Sequence, residues 1–270
     1  MAKITDQEQR HFLERTEAYT SAATAILNHE QETLAAINQE PVNAALKRFA
    51  LADEMLNLAS NYLVLNDVSQ TMLKAKSETA LADARKSLIK SVAYLEQIVT
   101  HFIDAPFSDY QEQLAEIDSV DAAARYLLIR KMGLAIQLLE DAYGDNSKWK
   151  WSFVELEGRH AAVAKNIIDL RNVSNNTDYN SPNYEATVHH LRLSKKLIAQ
   201  TADRYRSKYE LSTKQIEDFK LGITFLSSLR RLHIVLGEPD DATLVKKKLD
   251  VWAAKLDGDI KKQKEMQERR

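Results

Sequence analysis

The chain contains no cysteine among its 270 residues. Disulfide bonds, zinc–thiolate sites, iron–sulfur clusters and thiol catalysis are therefore excluded for it. Turn-forming residues are also scarce, with six glycines and four prolines, whereas the two together average about 12% of residues in proteins. Strand-rich folds need many such residues. Their scarcity, together with abundant alanine, leucine, glutamate, lysine and glutamine, predicts an all-α protein of long helices.

Signals for membrane insertion, export and common catalytic chemistry are absent as well. No stretch approaches the roughly 18 apolar residues of a membrane-spanning helix, and the first residues lack the apolar run of a signal peptide. No glycine-rich phosphate loop or Ser/His/Asp order occurs, which disfavours nucleotide-dependent and hydrolytic enzymes. We expect a soluble protein with no cofactor and no catalytic residues. A cytoplasmic location follows only by default, because an exported protein whose leader had been removed would have the same sequence.

The formal charge of −2 is unevenly distributed along the chain. Residues 1–135 carry 13 lysines and arginines against 19 aspartates and glutamates, whereas residues 136–270 carry 24 against 20. The two halves are therefore −6 and +4, which we interpret as a solvated surface with a chance asymmetry; the alternative is a polarity that orients subunits or a protein partner. The basic residues near the C-terminal end alternate with acidic ones, which is typical of a solvated helical face, so no nucleic-acid partner is expected.

Apolar residues recur at helical spacing along nearly the whole chain, which predicts about nine helices. Two long N-terminal helices are predicted over residues 6–38 and 67–103, and at 1.5 Å per residue each would be about 50 Å long. We therefore expect an elongated multi-helix bundle or helical array. Its predicted parts are a long-helix N-terminal region, 1–104, and a helical C-terminal bundle, 105–270, which could also form one continuous domain.

A helix predicted after Ser212 and ending at Gly237 is apolar on two sides. Such a helix must be covered on both sides, so we expect it to lie centrally in its bundle. The better-packed part of the chain is therefore expected in the C-terminal half.

Three polar residues interrupt apolar stripes and are the candidate binding residues. Arg230 and His233 lie on an apolar side of the central helix, and Lys195 interrupts the stripe of the preceding helix. A buried charge must be paired, so each is expected to form an ion pair with an acidic residue or to face an anionic ligand or partner carboxylate. For Arg230 the acidic candidates are Asp169 and Asp203.

The stretch WSFVELEGRH contains Glu157 and His160 at the spacing that carboxylate-bridged di-metal proteins use on one helix. The same stretch contains Ser152 and Glu155 at the spacing of a capping box, which predicts a helix start at Ser152. A di-metal site requires ligands in the middle layer of four helices. We therefore retain Glu157 and His160 only as candidate metal ligands and interpret the stretch as a helix N-terminus.

These observations favour a non-enzymatic structural or protein–protein interaction module, such as a scaffold, an adaptor or a subunit of a larger assembly. A protein partner or self-association is expected, without nucleic-acid binding or membrane insertion. The alternative is a helical-bundle protein that binds a ligand, or a metal-dependent enzyme of the di-iron kind.

Overall fold

The computed structural model describes residues 5–144 and 147–268. Within these ranges the chain forms α-helices and no β-strand, so the predicted all-α class is confirmed. None of the described helices is both long enough and apolar enough to cross a membrane. The helices are α1 (Asp6–Gln39), α2 (Ala44–Leu73), α3 (Glu78–Glu96), α4 (Gln111–Ala115), α5 (Ala122–Tyr143), α6 (Lys150–Asn166), α7 (Val173–Asn176), α8 (Tyr184–Lys208), α9 (Ile216–Val235) and α10 (Pro239–Glu268), with a 3₁₀ turn at Phe107–Asp109 and a π-helical turn at Tyr209–Thr213.

The chain divides into two compact units. The first comprises the described parts of Met1–Val99 and Tyr110–Lys150, and the second those of Thr100–Asp109 and Trp151–Arg270. The division differs from the predicted regions 1–104 and 105–270, because α5 belongs with the N-terminal helices. One side of α5 is buried and packs against α2 and α3.

In the first unit α2 packs against α1, α3 and α5. The contact of α1 is a narrow seam, since its buried residues recur at every seventh position: Thr16, Ala23, Glu30 and Ile37. The buried carboxylate of Glu30 accepts hydrogen bonds from Lys90 Nζ, at 2.6 Å, and from the hydroxyl of Tyr94. These hydrogen bonds offset the cost of burying the carboxylate and link α1 to α3.

The boundary between α2 and α3 lies later than predicted: α3 begins at Glu78, eleven positions after the predicted start at residue 67, and ends at Glu96, so the predicted helix over 67–103 is wrong. Asn66 is fully buried inside α2, and its side-chain oxygen accepts a hydrogen bond from the Ser77 backbone N–H at 3.0 Å. The chain turns at Lys74, which has a left-handed φ of 54°, and Ser77 then caps α3. The two long N-terminal helices are therefore α1 and α2, of 34 and 30 residues.

In the second unit α9 packs against both α8 and α10. The predicted two-sided burial of this helix is confirmed, with buried residues that include Phe219, Phe225 and Leu229. The two helices α9 and α8 approach closely at Gly222, where an added Cβ would lie 3.0 Å from the carbonyl oxygen of Ala202. Only glycine permits this backbone separation without a shift of one helix.

The segment that precedes the 3₁₀ turn is held in the second unit by buried polar side chains. Lys165 Nζ donates to the carbonyl oxygens of Ile103 and Ala105, at 2.8 and 3.1 Å. Asn166 Nδ2 donates to two further carbonyl oxygens of the same segment, and Ser228 Oγ donates to Ile103 at 2.7 Å. Burial lowers the pKa of Lys165 to about 8, with a further contribution from the nearby charge of Arg231.

Candidate functional site

The turn between α9 and α10 has the hydrogen bonds of a Schellman motif. Gly237, with φ of 71°, donates its N–H to the carbonyl of Ile234, and Glu238 donates its N–H to the carbonyl of His233 at 2.9 Å. Pro239 then opens α10, where its missing N–H costs no helical hydrogen bond. This backbone places Glu238 directly beside His233.

The structure brings two of the three predicted binding residues together around Glu238. Lys195 Nζ of α8 lies 2.7 and 3.0 Å from the two oxygens of the Glu238 carboxylate, and His233 Nδ1 of α9 lies 2.6 Å from one of them. His233 is buried, whereas Lys195 and Glu238 are half-buried. Partial burial alone would raise the pKa of Glu238, but hydrogen bonds from Lys195 and His233 lower it overall. The cluster therefore links α8, α9 and the start of α10.

Arg230 does not join this cluster, and the predicted buried ion pair is wrong. The side chain is half-buried, and no carboxylate among residues 5–144 and 147–268 lies within 4 Å of it. The two acidic candidates have other partners, since Asp169 pairs with Arg171 at 2.9 Å and Asp203 with Lys248 at 2.7 Å. A long arginine stem can cover apolar surface while its guanidinium reaches water, so an apolar stripe does not require burial of the charge.

Asp241, one helical turn after Glu238, completes a group of potential metal ligands. One atom each of His233, Glu238 and Asp241 lie within 4.8 Å of one another. Imidazole and carboxylate groups suit zinc and several other divalent ions. However, both oxygens of Glu238 already accept from Lys195. The Lys195 ammonium group already pairs with this carboxylate, so a metal ion would have to compete with Lys195 for it.

The candidate metal ligands of α6 have a different environment. Glu157 Oε2 lies 3.1 Å from Arg204 Nε, and His160 is buried. In the part of the chain that the structure describes, neither belongs to a group of three or more potential metal ligands. The helix begins at Lys150, two residues before the predicted start, so the stretch is a helix N-terminus as predicted, although Ser152 lies in its first turn rather than before it. The geometry thus gives no support to a di-metal site at Glu157 and His160.

The exposed side of α5 is unusually apolar, a feature that the sequence analysis did not identify. Leu127, Leu134 and Leu138 are 61%, 56% and 48% exposed. At 100° per residue these positions lie within about 40° of one line along the helix. The opposite side of α5 is buried. The signal was present in the sequence, because leucine, isoleucine and methionine occur on both sides of this helix.

Leu127 and Leu134 of this leucine line lie in one wall of an open groove between α2 and α5, with a volume of about 770 Å³. Among the charges of the groove, Lys131 Nζ lies 2.6 Å from Asp53 and 2.8 Å from Asn57 Oδ1. Arg130 is exposed, and no carboxylate of the described residues pairs with it. The groove therefore combines an apolar wall with one uncompensated positive charge. Its lining residues are Phe49, Ala50, Asp53, Ala124, Leu127, Leu128, Arg130, Lys131 and Leu134.

Comparison with known proteins identifies a family. A family model described as the TP0443 family matches residues 8–260, which is nearly the whole chain. No curated protein and no solved structure matches the chain.

Proposed function

The chain belongs to the TP0443 family, and we propose that it is a non-enzymatic protein–protein interaction module that binds a partner in the α2–α5 groove. The observation that carries this proposal is the line of three exposed leucines on α5. Contiguous exposed apolar surface on a folded protein commonly marks an interaction site, whereas single exposed leucines do not.

The leucine line offers a useful amount of binding energy. Full burial of a leucine side chain contributes about 1.5–3 kcal/mol, so covering three that are roughly half exposed would contribute about 3 kcal/mol together. Phe49 and Ala50 on the α2 side of the groove add further apolar surface. A partner that covers the whole groove would therefore gain more binding free energy than one that contacts α5 alone.

The polar residues singled out in the sequence support a structural role for the second unit. Lys195 and His233 direct their hydrogen bonds to Glu238, and Glu157 faces Arg204. These contacts link helices of the same unit. The partner-binding surface is accordingly assigned to the first unit.

The proposal is tested by affinity purification of the tagged chain from its native source. The bait variant carries Leu127→Gln, Leu134→Gln and Leu138→Gln. Its matched control carries Leu244→Gln and Val251→Gln, which alter two similarly exposed apolar residues of α10. We expect a defined protein that co-purifies with the wild type and with the control to be lost from the leucine variant. Identical protein sets from all three baits, each shown to be folded by circular dichroism, would rule the proposal out.

A second candidate function, reversible binding of a divalent cation, is favoured by the group of His233, Glu238 and Asp241. Because Lys195 neutralises Glu238, this candidate requires Lys195→Met to tighten binding. Calorimetric titration of both proteins with zinc and manganese tests it. Stoichiometric binding that is tighter in the variant supports a metal site, whereas no binding by either protein eliminates this candidate.

A further inference from the structure

We infer that the segment bound in the α2–α5 groove is an amphipathic α-helix of a different protein, with apolar residues at heptad spacing and a carboxylate at its centre. This inference rests on the proposed function and specifies the chemistry of the partner. Its basis is the spacing of the exposed leucines and the position of Arg130 among them.

The shape of the groove favours a helical occupant. Both walls are α-helices, whose backbone groups are already hydrogen-bonded within each helix, so the groove offers no free edge to which an extended peptide could add as a strand. Leu127 and Leu134 are seven residues apart, and Leu138 follows four residues later. This is the a/d spacing at which two helices interdigitate. The line spans about 16 Å, or three turns of a partner helix.

The charge of the groove favours an acidic centre in that helix. Arg130 lies between Leu127 and Leu134, whereas the charge of Lys131 is offset by Asp53. Docking an apolar or basic residue over Arg130 would remove water from an unpaired guanidinium, which is costly. A glutamate or aspartate at that position would form a charge-assisted and potentially bidentate pair with it.

The positive charge of Arg130 lies in a unit whose net charge is negative. The first unit contains 15 lysines and arginines against 20 aspartates and glutamates, a formal charge of −5. A long-range field of this sign disfavours an anionic membrane surface as the occupant. Attraction of a carboxylate to Arg130 is instead a short-range effect that depends on contact in the groove.

The same charges disfavour a second copy of the chain. An antiparallel pair of α5 helices that buried all three leucines would be centred between residues 132 and 133. Arg130 would then lie about 7.5 Å along the axis from the partner's Arg130. Two like charges would share one desolvated strip, and two units of −5 would face each other. A partner of different sequence avoids both costs.

The test uses two synthetic, fluorescently labelled 21-residue helical peptides. Both carry leucine at every a and d position of three heptads, and the flanking e and g positions are glutamate in one peptide and lysine in the other. Binding to the full chain is measured by fluorescence anisotropy in 150 mM salt. The protein variants are Leu134→Gln and Arg130→Glu, with Arg192→Glu as a control that makes the same charge change at an exposed site of α8.

We expect the wild type and the Arg192→Glu control to bind the glutamate peptide at least tenfold more tightly than the lysine peptide. Arg130→Glu should reduce or reverse this preference by at least tenfold, and Leu134→Gln should weaken binding of both peptides. The inference is overturned if the peptides bind equally, if neither binds, or if Leu134→Gln has no effect. Leucine-dependent dimerisation in sedimentation velocity, or leucine-dependent binding to phosphatidylglycerol vesicles, would also overturn it.

These outcomes are separable from failure of the proposed function. If the triple leucine variant loses a native partner while the peptides show no charge preference, the acidic-helix inference is wrong and the interaction module stands. If that variant loses no partner, the interaction module itself is wrong.

Discussion

Replacement of Glu238 by glutamine tests whether the cluster with Lys195 and His233 holds the second unit together. The change preserves the shape of the side chain but removes the charge that three short hydrogen bonds share. The glutamine amide keeps one acceptor oxygen and presents N–H donors where the second carboxylate oxygen stood. Lys195 would then be left with a half-buried charge and no carboxylate partner.

The expected loss of stability is about 2 kcal/mol. A fully buried pair that loses one partner costs about 3–5 kcal/mol, and an exposed pair contributes about 0–1 kcal/mol. This cluster lies between the two limits, since the side chains of Lys195, Glu238 and His233 are 22%, 32% and 10% exposed. The nearby exposed change Asp241→Asn should cost less than about 0.5 kcal/mol and serves as the control.

The assay is urea unfolding followed by tryptophan fluorescence in a Trp149→Phe background. Trp151 and Trp252 then report on the second unit alone. The single changes Lys195→Met and Glu238→Gln and their combination form a double-mutant cycle, for which we expect a coupling energy of about 1–2 kcal/mol. A loss below about 0.5 kcal/mol for Glu238→Gln, or strict additivity of the two changes, would refute the reasoning.

The same comparison has a predicted pH dependence. Hydrogen bonds from Lys195 and His233 outweigh burial and lower the pKa of Glu238 below its ordinary value of 4.5. The ionised carboxylate therefore contributes its full stability above about pH 4.5, and the contribution is lost as pH falls through the lowered folded-state pKa. The stability difference between the wild type and Glu238→Gln should narrow on acidification below pH 4.5. A difference that widens there would contradict the assigned role.

Three further predictions are tested by the same unfolding assay. Gly222→Ala should lower the free energy of unfolding by about 1–2 kcal/mol, because the new Cβ would meet a backbone carbonyl of α8 at 3.0 Å. The control Gly258→Ala, whose Cβ would meet nothing within 4 Å at an exposed position of α10, should raise it by about 0.5–1 kcal/mol. Equal effects of the two changes would refute the close approach of α9 to α8. Arg230→Met should change stability by less than about 0.5 kcal/mol, since no carboxylate of the described residues pairs with Arg230, and a large loss would contradict this. The pKa of Lys165 is about 8 in the folded protein and about 10.5 in the unfolded chain, so between these pH values the unfolded state binds more protons. Relative to Lys165→Met, the free energy of unfolding of the wild type should therefore rise by about 1–2 kcal/mol between pH 7.5 and 9.5. No such rise would refute the low pKa of Lys165.

Helix class and several helix ends were predictable because local residues determine them. Gly144 and Gly237 terminate α5 and α9 with positive φ angles of 86° and 71°, and Pro239 opens α10. The predicted helix end at Gly237 agrees with the structure to within two positions. Such signals act through the backbone of a few neighbouring residues, so no tertiary information is needed to interpret them.

The boundary after α2 was not predictable in this way. The polar pair Asn66 and Asp67 has the composition of a turn, yet Asn66 is buried within the helix and bonds to the backbone of Ser77. The polar side chain of Asn66 makes its hydrogen bond to a residue eleven positions later in the chain. Burial of Asn66 depends on the packing of α2 against other helices, which the local sequence does not specify.

The candidate site residues likewise divide into those that local sequence identifies and those that depend on contacts with distant residues. Lys195 and His233 were identified because a charged or titratable residue in an apolar stripe needs a partner, but Glu238 was missed because its pairing with Lys195 spans 43 positions. Arg230 was wrongly predicted to be buried because periodicity places a residue on a face without fixing the depth of its guanidinium. The leucine line of α5 could have been found by the criterion applied to α9, since both helices are apolar on two sides.

The central claim is that the exposed leucine face of α5 binds a protein partner, and site-specific photocrosslinking in the native source tests it most directly. A photoreactive benzoylphenylalanine replaces Leu134 in one protein and Leu244, which is similarly exposed on α10, in another. The account predicts a discrete crosslinked species, heavier than the chain alone, that forms from position 134 and is absent from position 244. No crosslinked species from position 134, or the same species from both positions, would contradict the account.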